Sequence, residues 1–82
     1  MGTVETLAAK LADDTIDAMK EIGDERLYTE IGDVLGASSQ SLEEAFLTEI
    51  RVRLAEVGAR RHLARRLAEA RQAKSQSADQ PE

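Results

Sequence analysis

The stretch LEEAFLTEIRVRLAEVGARRHLARRL, Leu42 to Leu67, decides how this chain folds, because its two apolar patterns do not share a face and a single glycine separates them. Phe46, Ile50, Leu54 and Val57 recur at three- and four-residue intervals with Leu47 beside them, the spacing of one side of an α-helix. Past Gly58 the apolar residues are Ala59, Leu63, Leu67 and Ala70. At about 100° per residue they fall more than a quarter turn away from the first group. Either the helix kinks or restarts at Gly58, giving helices over about 41–57 and 59–73, or one straight helix carries two contact faces. In the second case Ala45, Val52, Ala59, Leu63 and Ala70 form a weak stripe along its length, one face serving the chain's own core and the other a partner helix. Ser41 and Glu44 match the S-x-x-E capping box and predict a start near residue 41.

Upstream, Val4, Leu7, Ala8, Leu11, Ala12, Thr15, Ile16, Met19 and Ile22 keep helical spacing, with Lys10, Asp13, Asp14, Asp17 and Lys20 between them. Thr3 is placed to cap this helix, over 3–22, and Gly23 to end it in the left-handed conformation. Asp24 then predicts the N-cap of a shorter helix, about 25–35, carrying Leu27, Ile31, Val34 and Leu35 and closed by Gly36. Gly32 lies inside it, where glycine costs about 0.8–1 kcal/mol of helix propensity, which marks a close approach by another backbone. Downstream of Lys74, SQSADQPE is polar, aperiodic and holds the only proline, so residues 75–82 are expected to form a disordered tail.

The fold class expected is therefore all-α, a single domain over residues 1–74 with three or four helices and a long third one. A chain of 82 residues buries only about 60–65% of its unfolded surface, and Tyr28 and Phe46 are its only aromatic side chains. Leu63 and Leu67 have no local mate, so a helical homodimer is the expected way to cover them, with Val52, Ala59, Leu63, Leu67 and Ala70 as the partner interface.

Charge divides the chain. Residues 1–50 carry three basic and twelve acidic side chains, a net of −9, whereas residues 51–74 carry eight and two, a net of +6. The last eight residues contribute −2, which brings the whole to −5. Arg60, Arg61, Arg65, Arg66 and Arg71 are chemically suited to phosphates. They spread around the helix without interleaved aromatics, which disfavours single-stranded nucleic acid. Lying against the acidic half, in the same chain or a partner, is the favoured account. No Trp or Phe anchors this segment in a bilayer, so no membrane partner is expected.

Catalytic chemistry finds no foothold. Without cysteine there is no disulfide, thiolate metal site or cysteine nucleophile. His62 is the only histidine and stands among arginines; Asp13, Asp14 and Asp17 read as a solvated face; Ser38, Ser39 and Ser41 read as turn and capping residues. No glycine loop cradles phosphate. The chain is thus expected to be non-enzymatic, with no cofactor, no metal and no small-molecule substrate. MGTVETLAAKLADD lacks the pattern of a signal peptide and no segment reaches the ~20 apolar residues of a membrane span, which predicts a soluble, cytoplasmic protein.

One motif carries a family likeness. Over residues 28–47, Ile31 and the small Gly32 precede Leu35 and Gly36 at a turn, followed by Ala37, then Leu42 and Ala45 in the next helix. This resembles the helix-turn-helix of bacterial and phage repressors, in which two steeply crossing helices need a small residue at their contact and a glycine with positive φ between them. The resemblance implies that the second helix enters the major groove with Ser38, Ser39, Gln40, Glu43, Glu44 and Leu47 facing the base edges. Glu43 and Glu44 oppose it electrostatically, because phosphate contacts favour Lys or Arg. Two functions are carried forward: a non-enzymatic helical protein that binds protein partners or itself, and, as the alternative, a dimeric DNA-binding regulator using Ser38, Ser39 and Gln40 with Arg60, Arg61, Arg65 and Arg66.

Overall fold

The structure is a computed structural model describing residues 2–79. Among these the chain is all-α, in the order α1 Thr3–Ile22, α2 Leu27–Gly36 and α3 Gln40–Asp79. None of the described helices is long and apolar enough to cross a membrane.

Local chemistry explains each boundary. Helix α1 begins one residue earlier than a Thr3 cap requires: Gly2 is the N-cap, in extended conformation and without a side-chain cap. Thr6 instead donates its hydroxyl to the Gly2 carbonyl at 3.0 Å. Gly23 ends α1 as expected, at φ 71°, and both its N–H and that of Asp24 reach the Met19 carbonyl. Asp24 does not start α2. Its Oδ1 accepts from the Arg26 N–H at 2.9 Å, an Asx turn that delays the helix to Leu27 instead of residue 25. At the other end α2 includes Gly36, which has no positive φ. The chain turns through residues 37–39, where the Leu35 carbonyl accepts from Ser38 at 3.0 Å and from Ser39 at 2.7 Å.

That arrangement leaves Ser39 at the N-cap of α3, and its Oγ accepts from the Leu42 N–H at 3.1 Å. The Ser41–Glu44 capping box is not used: α3 begins at Gln40, and both of those side chains are exposed.

The helices run up, down and up. Val4 lies near Ser41 and Thr48, Asp13 pairs with Arg53, and Met19 lies near Val57 and Gly58, so α1 is parallel to the first half of α3. Helix α2 returns antiparallel, with Tyr28 near Leu54 and Val57, Gly32 against Leu47, and Gly36 against Glu43. Ala8 and Ala12 of α1 meet Phe46 and Ile50 of α3 in a core where all four are fully buried. The small α1 residues let the two helices approach over the larger Phe46 and Ile50. Val57 is half-buried and Leu54 stays at the rim with 39% exposure. Gly32 is buried as its sequence position suggested, although its close neighbour is a side chain: an added Cβ would stand 3.3 Å from Leu47 Cδ2.

Gly58 does not break α3. The helix is continuous from Gln40 to Asp79, so there is no separate fourth helix over 59–73. The molecule's longest dimension is 69 Å, which accommodates the roughly 60 Å of a straight 40-residue helix. Nor does the helix stop at Lys74, since residues 75–79 extend it where a disordered tail was expected; residues 80–82 of that tail lie outside the described part. A backbone already helical gains one hydrogen bond for each further residue it fixes, so a polar sequence free of proline and glycine suffices to carry it.

Candidate interaction surface

From Gly58 to Gln76 every residue of α3 is exposed, with Gly58 and Arg61 still bordering the earlier helices in a groove beside Met19, Gly23 and Tyr28. This arm is helical because of its composition. Ala, Arg, Leu, Glu, Gln and Lys dominate it, all strong helix formers. Glu56 pairs with Arg60 one turn on, in the favourable acid-before-base order, and Arg66 Nη1 pairs with Glu69 Oε1 at 3.3 Å. His62 Nδ1 lies 3.2 Å from Arg65 Nη2, a local surface contact.

Along the arm runs the apolar stripe. At about 100° per residue, Val52, Ala59, Leu63 and Ala70 share one narrow face with Leu67 at its edge. Val52 is 60% exposed, Leu63 57% and Leu67 43%, while Ala59 and Ala70 are also open to solvent. The structure therefore places all five residues expected at the interface on one uncovered surface.

At its Val52 end the stripe meets the body. There a groove between α1 and α3 has Ile16, Val52 and Val57 on its floor, with Asp13, Asp17, Glu49 and Glu56 around them. Arg53 spans the groove wall. Its Nε donates to Asp13 Oδ1 at 2.7 Å, its Nη1 to Glu49 Oε1 at 2.7 Å and to the Glu49 carbonyl at 3.0 Å, and its Nη2 to the Ala9 carbonyl at 3.3 Å. The bond with Asp13, then that with Glu49, raises the guanidinium pKa above its ordinary value, against a smaller opposing effect of burial. A cation with a raised pKa contributes its full stabilisation below its unfolded pKa and loses it only above the arginine range, so the guanidinium side of this clamp stays charged at every ordinary pH. Asp14 accepts from Lys10 at 3.3 Å, so two of the three clustered α1 aspartates are engaged in ion pairs.

Arg53 is the residue that sequence reasoning missed. It was one basic residue among eight, and only its position between Ile50 and Val57 on the core face marked it out. None of the arginines expected to lie against the acidic half pairs with it in the same chain: Arg61, Arg65 and Arg71 have no acidic partner within 4 Å among the described residues, and Arg60 and Arg66 pair within their own helix, whereas the contact is made by Arg53.

The residues of the repressor-like reading fall in two places. Ser38 and Gln40 are exposed at the turn, whereas Ser39 is half-buried with its hydroxyl committed to the α3 cap. The turn spans three residues, and Gly32 under Leu47 supplies the small residue between the helices. Glu43 packs across Gly36, where an added Cβ would stand 2.9 Å from its carboxylate, and Glu44 is exposed on the leading turn of α3. Arg60, Arg61, Arg65 and Arg66 lie about 30–40 Å farther along the same helix, so the two groups form separate surfaces.

Comparison with known proteins finds no matching family model, curated protein or solved structure.

Proposed function

We propose that this chain is a small non-enzymatic helical protein that works by binding protein, a second copy of itself included, through the exposed stripe of α3. One observation carries the reading: an arm with Leu63 57% and Leu67 43% exposed projects beyond the last residue the bundle covers. Solvent-exposed leucines aligned along a helix are the ordinary substrate of helix-to-helix association. The interface residues are Val52, Ala59, Leu63, Leu67 and Ala70.

Size-exclusion chromatography with light scattering tests this. The chain is expected to dimerise, and the double variant Leu63→Glu with Leu67→Glu to be a folded monomer. A variant that dimerises as well as the parent would overturn the assignment of binding to this stripe.

The three-residue turn and the Gly32–Leu47 contact favour a second reading, a dimeric helix-turn-helix regulator that presents Gln40 and Ser38 to duplex DNA, whereas Gly36, without a positive φ, speaks against it. Repeating the scattering experiment with mixed-sequence duplex at low and high salt separates the two. Binding that weakens as salt rises would support the DNA reading, and its absence at low salt would eliminate it, because nonspecific phosphate contacts dominate there.

A further inference from the structure

We propose that a second copy of this chain docks antiparallel, seating its basic arm along the acidic groove between α1 and α3, with the dyad near residues 59–60. The inference rests on the self-association reading above and adds the orientation, the offset and the groove.

Charge selects the direction. Residues 1–57 hold five basic and thirteen acidic side chains, a net of −8, and residues 58–74 hold six and one, a net of +5. Parallel packing of two stripes would set one +5 arm against the other and one −8 body against the other. Antiparallel packing sets each arm beside the opposite body. On the flank of the stripe that faces the groove the arm supplies Arg71 and Lys74, which have no acidic partner within 4 Å among the described residues, while Asp17 at the groove makes no ion pair among them either.

Shape selects the offset. Stripe residues of the arm must lie over the groove floor around Val52, which sets Leu67 of one copy opposite Val52 of the other and places the dyad at the small Ala59. Ala70 then comes opposite Glu49, and Leu63 opposite Glu56. Helical phase supports the same choice: Arg60, Arg71 and Lys74 lie on the side of the stripe that also carries Glu49 and Glu56. Like flanks face each other in an antiparallel pair, so those cations meet the partner's Glu49 and Glu56 and reach toward Asp13 and Asp17 across the groove. Exposed Leu63 and Leu67 are covered in the same step.

The absence of cysteine makes the test direct. Ala55 and Ala73 are exposed and lie beside the stripe, so Ala55→Cys and Ala73→Cys, each carrying a nitroxide label, leave the bundle core untouched. With 1.5 Å rise per residue and 8–10 Å between axes, an antiparallel dimer centred there separates the backbones of paired sites by about 17 Å at 55 and about 42 Å at 73. Pulsed electron–electron resonance on the full chain is expected to find one short and one long distance. Distances of about 10 Å at both positions would mean a parallel dimer and overturn the orientation while leaving association through the stripe intact. A folded chain that scatters as a monomer at concentrations used for resonance would overturn self-docking altogether. Dimerisation that survives Leu63→Glu with Leu67→Glu would overturn the underlying reading instead.

Discussion

Phe46 and Leu63 belong to the same helix, yet Phe46 is fully buried and Leu63 is 57% exposed. Around Phe46, α3 is one wall of a bundle, and its helical state is reinforced by Ala8 and Ala12 packing against it. Around Leu63 it is a free rod whose helical state comes from side-chain propensity and short-range ion pairs. Bundle and arm also differ in charge, −8 up to Val57 and +5 from Gly58 to Lys74. A helix can thus be continuous in backbone and still be two objects in energetics. One part is specified by tertiary burial, and the other by local propensity and short-range pairs.

Substitutions that strike one part and spare the other test this division. The largest effect is expected from Phe46→Ala, which deletes a fully buried aromatic and should lower bundle stability by about 3–5 kcal/mol in urea unfolding. Residual helicity by circular dichroism should then persist only to the extent that the arm is self-supporting. If Phe46→Ala left the unfolding midpoint unchanged, the bundle would not be the stabilising part.

Next is Arg53→Ala, which removes the clamp between α1 and α3. Its groups are partly solvated, so a loss of about 1–2 kcal/mol is expected, and Arg53→Lys should recover only part of it because a lysine cannot serve Asp13 and Glu49 together with the Ala9 carbonyl. Equal stability of the alanine and lysine variants would reduce the clamp to a simple charge effect.

Gly58→Ala should act in the opposite direction. An added Cβ there meets no atom within 4 Å, and the glycine lacks a positive φ, so the change should stabilise α3 by about 0.8–1 kcal/mol, visible as a rise in helix content or melting temperature. A drop would mean that bending at Gly58 is needed by the fold. Smallest of all, Leu63→Glu with Leu67→Glu should change the stability of the isolated monomer by no more than about 0.5 kcal/mol, as for other solvent-exposed positions. A larger loss would show that the arm contributes to the bundle.

Periodicity alone was enough for the existence and extent of α1, for the core roles of Phe46 and Ile50, and for the second stripe through Val52 and Leu63. These are properties of single helices, in which neighbours in space are three or four residues apart in sequence. The caps were less legible. Ser39 and Ser41 both stand in ASSQS, and which one caps α3 depends on how the Leu35 carbonyl closes the preceding turn. Asp24 offered the right side chain for an N-cap and used it on an Asx turn instead.

The sequence by itself determined an all-helical chain, the acidic and basic halves, and the two apolar faces of its last long segment, because each is written in spacing and composition. Only the tertiary structure decided that Gly58 lies inside an unbroken helix, that Arg53 reaches a partner 40 residues away, and that every residue of α3 from Gly58 to Gln76 stays exposed. Those outcomes depend on the lengths of helices packed side by side. With α2 only ten residues long and α1 twenty, a forty-residue helix has more surface than its own chain can cover.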